Sequence, residues 1–102
     1  MESLIQNLQR TIRALESLSE KNLPEADQVD ELLDQLFQQK IDLVNVTVSS
    51  SSPVYLQAAQ AMSLAAARVE KAVKEPSRMG EAIPVVFDAI DKLAKLLNHV
   101  MP

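Results

Sequence analysis

Cysteine and tryptophan are absent from the chain, glycine and histidine occur once each, and the aromatic residues are only Tyr55, Phe37 and Phe87. Each scarcity removes a class of chemistry. Without Cys there is no disulfide, thiolate zinc site, iron–sulfur cluster or cysteine nucleophile, and the redox compartment is left undetermined. One His cannot build a multi-His metal site, and a di-iron bundle would need Glu-x-x-His pairs that the sequence lacks. A single Gly starves β-hairpins and phosphate-cradling loops of the residue they need most. So few aromatics leave no stacking platform for bases or sugars, and the core has to be aliphatic. No cofactor is expected, and no enzyme, because no pairing of residues able to move protons, attack or hold a metal can be found.

No run approaches the roughly 18 consecutive apolar residues of a membrane span. The start, Met1-Glu2-Ser3-Leu4-Ile5-Gln6, has neither a basic nor an apolar signal region, so a cytoplasmic location is expected. A net charge of −4 disfavours nonspecific nucleic-acid and anionic-membrane binding. What is present is a hydrophobic fraction of 47% in 102 residues, enough for one domain with one core.

The apolar residues recur at helical spacing in four segments. Leu4, Ile5, Leu8, Ile12, Leu15 and Leu18 predict a helix over 3–21, closed by Asn22-Leu23-Pro24. Val29, Leu32, Leu33, Leu36, Phe37, Ile41 and Val44 predict a second helix over 24–46, buried along that stripe. Tyr55, Ala59, Met62, Ala66, Val69 and Val73 follow a seven-residue repeat and predict a third over 53–75, with Ser52 as N-cap and Pro53 as its first residue. Ile83, Val86, Phe87, Ile90, Leu93, Ala94, Leu97 and Val100 predict a fourth over 81–100, after a turn at Ser77-Arg78-Met79-Gly80 and with Pro84 in its first turn. Val44-Asn45-Val46-Thr47-Val48 alternates as a strand would, but no second strand is available to pair with it, and it reads as a helix end passing into the Ser49–Ser52 connection. Short connections favour antiparallel neighbours, so the expected fold is all-α, an up-down-up-down four-helix bundle in one domain over 1–102. The variant of this reading has helical hairpins completing their core by dimerising.

Four features are candidates for function. Residues 22–50 hold Glu25, Asp27, Asp30, Glu31, Asp34 and Asp42 against the single base Lys40, and the acids Asp27, Asp30, Glu31 and Asp34 crowd the start of the second helix. Negative charge there complements the helix dipole and would also steer a basic partner. In the third segment Ala58, Ala61 and Ala65 make much of the surface small, suiting close contact with a partner or a second copy. Arg68, Lys71, Lys74 and Arg78 form one basic cluster able to contact an anion, diluted by Glu70 and Glu75. Finally Met62, Met79, Phe37, Phe87 and Tyr55 could line a pocket for an apolar small molecule, although such residues more often fill a core.

Three further features read as structural. His99 sits at a helix end, where a cation is favoured by the dipole; Asn45-Val46-Thr47 matches a glycosylation acceptor by chance; and Ser49 to Ser52 lack a base that would activate a hydroxyl. The sequence therefore predicts a non-catalytic helical interaction protein, an adaptor, chaperone-like or regulatory subunit. Its expected partners are a second copy of itself, as a homodimer, and another protein.

Overall fold

In a computed structural model, which describes residues 3–100, the chain forms four helices: α1 (Leu4–Ser19), α2 (Ala26–Val44), α3 (Pro53–Lys74) and α4 (Met79–Val100), with a single 3₁₀ turn at Pro76–Arg78 before α4. No strand occurs among the described residues. Local chemistry sets most boundaries. Ser3 caps α1: its hydroxyl accepts from the Gln6 amide at 3.2 Å, while the Gln6 side chain accepts from the Ser3 amide at 2.8 Å. Ser52 caps α3 in the same way, accepting from the Tyr55 amide at 3.1 Å with Pro53 at the first helical position, as the sequence predicts. The turn between α1 and α2 passes through Asn22 at φ 54°, a left-handed conformation that asparagine tolerates better than most side chains.

Two starts differ from expectation. Pro24 and Glu25 form a turn, so α2 begins at Ala26 rather than at 24. In α4, Met79 and Gly80 are helical and not part of a turn, which places Pro84 in the second turn, where it denies the Gly80 carbonyl its usual donor. The cause is Met79, which is fully buried and draws the chain into the bundle early.

A single apolar cluster contains residues of all four helices, so the core closes within one chain. The four helices pack as a bundle, but one pair adjacent in sequence, α2 and α3, is not adjacent in space. The extensive contacts join α3 to α4, α1 to α3, α1 to α2 and α2 to α4, while α2 and α3 share no extensive contact. The Leu4 amide donates to Tyr55 Oη at 3.2 Å, and Thr11 Oγ1 lies 3.6 Å from Met62 Sδ, so α1 and α3 advance side by side in the same direction. The molecule is thus two helical hairpins, α1–α2 and α3–α4, laid against each other. The connection at 45–52 crosses between opposite helices, a span within reach of extended chain at ~3.3 Å per residue.

Packing on α3 explains this order. Ala58, Ala61, Ala65, Ala66 and Ala72 are buried together with Met62 and Val69, so α3 lies against α1 on one side and α4 on the other with little side chain between. Between α2 and α4 the Gln39 amide donates to the Ile90 carbonyl at 2.9 Å, while its own Oε1 is buried without a partner.

Candidate functional site

The second helix carries two apolar stripes where the sequence suggests one. Val29, Leu32, Leu33, Leu36 and Leu43 enter the core with Gln39 in line, while Phe37, Ile41 and Val44 are turned outward with 40, 54 and 63% of their surface exposed. Their expected burial is overturned because the core stripe continues through Gln39 and Leu43, the residues that face α4 and α1. The outward stripe has a polar continuation: Asp30, Asp34, Phe37, Ile41 and Val44 are spaced by four, three, four and three, and Asp27 precedes them by three, so all share one flank of α2. Asp27, Asp30, Glu31 and Asp34 are all exposed. The helix is therefore acidic at its start and apolar at its end along the same line.

At the apolar end lies a hollow of about 340 Å³, lined by Leu4, Ile5, Leu43, Val44, Val48 and Tyr55. The start of α1, the end of α2, the crossing connection and the start of α3 meet there. Because Val44 belongs to both the stripe and the hollow, the two form one continuous apolar surface. Val46 and Val48 pack partly against the core, which holds the connection in place beside it.

The basic residues gather at the opposite end of the bundle, on the corner where α3 passes into α4. Arg68, Lys71 and Arg78 line one hollow with Glu81 and Ala82, and Lys71, Lys74, Glu75 and Arg78 line another. Arg78 is committed to carboxylates, with Glu75 at 2.6 Å and Glu81 at 3.7 Å. Its hydrogen bond and charge hold the Glu75 carboxyl below its ordinary range, and Glu75 in turn raises Arg78. With Glu75 and Glu81 in the same hollows, the corner is of mixed charge rather than a clean anion cradle. Nearby, Arg10 of α1 grips Glu70 of α3 through two hydrogen bonds, the Nε contact measuring 3.1 Å, and also donates to Asn7 Oδ1 at 3.0 Å. The hydrogen bond from Arg10 lowers the Glu70 carboxyl; burial, the next effect in size, opposes it, and the charges of Arg10 and Lys74 lower it further.

Comparison with known proteins supplies no relative: no family model matches the sequence, no curated protein matches it and no solved structure matches the fold.

Other expectations change with the structure. Ala58, Ala61 and Ala65 are at most 8% exposed, used up by packing inside the fold, and so do not form an external contact surface. The residues suggested for a pocket separate: Met62 and Met79 are sealed in the core, Phe37 and Phe87 lie on the outside, and only Tyr55 borders the hollow described above. His99 is exposed. Ser49 and Ser51 hydrogen-bond to each other at 3.0 Å, and the Asn45 side chain donates through Nδ2 to the Ile41 carbonyl at 2.9 Å. Among the described residues, no group of three or more acids or histidines converges as a metal site would require, and no helix is long and apolar enough to cross a membrane.

Proposed function

We propose that this chain is a non-enzymatic, cytoplasmic protein-interaction module, an adaptor, chaperone-like or regulatory subunit, whose working surface is the outward flank of α2. One observation carries the reading. Phe37, Ile41 and Val44 remain exposed in a row on α2, whereas the other exposed large apolar residues, Leu56 and Leu64 on α3 and Phe87 on α4, do not form a run of three in helical register. Scattered exposed apolar residues need no explanation, but three in helical register, continuous with an apolar hollow, are a contiguous patch of the kind that marks contact sites. The acids Asp27, Asp30, Glu31 and Asp34 at the other end of the flank favour a basic partner and raise its rate of encounter. Self-association through the alanines of α3 loses its physical motive, since these serve the core, and α2 becomes the surface to consider for any homodimer.

The test is capture of a stoichiometric partner from cells of the source by the intact protein, repeated with Asp27, Asp30, Glu31 and Asp34 all changed to Lys. The partner's affinity is expected to fall and its salt dependence to reverse. Unchanged affinity and salt dependence would refute the role of the acids, and failure to find any stoichiometric partner would refute the reading as a whole.

A second reading, a small apolar molecule bound by the protein, is supported by the hollow beside Tyr55. Native mass spectrometry separates the two: a stoichiometric extra mass on freshly purified protein supports it, and a clean chain mass counts against it.

A further inference from the structure

We infer that the α2 flank takes one amphipathic helix of another protein, seated by a bulky apolar residue in the hollow beside Val44 and carrying Lys or Arg where it passes Asp34 and Asp30. The inference rests on the interaction reading above and specifies the partner's chemistry. The seam of Asp30, Asp34, Phe37, Ile41 and Val44 has the alternating four and three spacing by which one helix presents a face to another. At 1.5 Å of rise per residue, Asp34 lies about 15 Å and Asp30 about 21 Å along the axis from Val44. A complementary helix therefore has apolar residues over two turns and cations roughly 10 and 14 positions from its anchor. Cations are favoured at a helix C-terminus, so the partner helix runs antiparallel to α2, its C-terminal end over the acids.

A second copy of this chain fits the same surface poorly. Two α2 helices in parallel would set Asp30 and Asp34 against their own counterparts. Antiparallel and fully overlapped, they would press Asp30 onto Ile41 and Asp34 onto Phe37, removing charge from water. Overlap of the apolar ends alone covers only about two turns of helix, far short of the roughly 800 Å² per partner of a stable interface. Charge complementarity thus selects a different, basic helix.

The probe is a displayed library of 20-residue helical peptides panned against the full-length protein, with the strongest binder then synthesised, labelled and measured by fluorescence anisotropy at low and high salt. The expected binder has apolar residues at helical spacing and Lys or Arg at the distal positions. Its affinity should drop tenfold or more in Ile41→Gln and in the double variant Asp30→Lys with Asp34→Lys. Replacing the peptide's cations by Glu should restore binding to the double variant. Circular dichroism confirms that each variant remains helical. Binders indifferent to both variants would overturn this inference while leaving an interaction role on another face. Absence of any enriched binder would overturn it too, and only loss of the captured cellular partner would extend that failure to the proposed function. If light scattering showed a dimer of the wild type that Ile41→Gln dissolved, a second copy would be the occupant and the inference would be wrong.

Discussion

Exposure on the outer flank of α2 makes a quantitative claim about stability, because a side chain kept for contact with another molecule should contribute little to folding. Leu36 and Ile41 lie on the same helix, one turn and a residue apart, and provide the contrast. Leu36 is fully buried in the core cluster, so Leu36→Ala removes methylene groups and leaves a cavity, at a cost of about 2–5 kcal/mol. Ile41 is 54% exposed. Complete burial of an isoleucine is worth about 1.5–3 kcal/mol, so the part it hides contributes about 1 kcal/mol. In Ile41→Gln the glutamine methylenes keep some of that contact, and glutamine is the better helix former by a few tenths of a kcal/mol, leaving a net loss of about 0.5 kcal/mol. A domain of this size loses about 4–8 °C per kcal/mol, so Leu36→Ala should lower Tm by at least 8 °C or so and Ile41→Gln by only a few degrees. Thermal and urea denaturation followed by far-ultraviolet circular dichroism at two protein concentrations measures both. If Ile41→Gln were as damaging as Leu36→Ala at every concentration, the stripe would be structural. If its effect grew with concentration, copies of the chain would already be covering it.

Three further outcomes test other parts of the structure. Gln39→Leu should stabilise the protein by about 1 kcal/mol in urea denaturation, because it removes a buried carbonyl oxygen that has no partner; a clear loss would mean that the bond to Ile90 is needed to hold α2 against α4. The Glu70 carboxyl is lowered in the folded state, so its pairing with Arg10 stabilises above the ordinary value of 4.5 and is lost as pH falls below it. Stability between pH 6 and pH 3 should consequently fall more steeply in the wild type than in Glu70→Gln, by under about 1 kcal/mol given the pair's exposure to solvent; parallel profiles would refute the pairing. Asn22→Val should cost about 1–2 kcal/mol, whereas Asn22→Gly should be near neutral, as the left-handed backbone there requires.

The helices themselves were legible because leucine, isoleucine and valine recur every three or four residues and because Ser52-Pro53 and Pro76 punctuate the pattern. Their neighbours were not. Alanine is ambiguous in sequence, since Ala58, Ala61 and Ala65 satisfy an external seam and an internal one equally, and only packing shows that α1 and α4 consume both sides of α3. The same ambiguity hid the stripe on α2: Leu36 and Phe37 are adjacent and equally apolar, and a polar residue, Gln39, completes the buried side. Gln39 was the available signal, because a helix whose core line needs a glutamine has apolar residues to spare elsewhere. The acidic cluster was legible from charge alone. Its alignment with Phe37, Ile41 and Val44 depended on knowing which side of the helix faced water.

The crossing connection at 45–52 is the sole covalent link between the two hairpins, and its Ser49–Ser52 stretch is almost wholly exposed. Among the described residues, what else joins them is noncovalent: packing between α1 and α3 and between α2 and α4, the Arg10–Glu70 pair, and the hydrogen bonds from the Leu4 amide to Tyr55 and from the Gln39 side chain to Ile90. A chain severed at this stretch would yield two halves, each with an apolar face complementary to the other and a core that neither completes alone. Mixed, they should recover helical structure as a noncovalent pair, and the stability of that pair would become a matter of mass action between the halves. The serine run is in that sense a tether: it sets the effective concentration of one half of the molecule for the other.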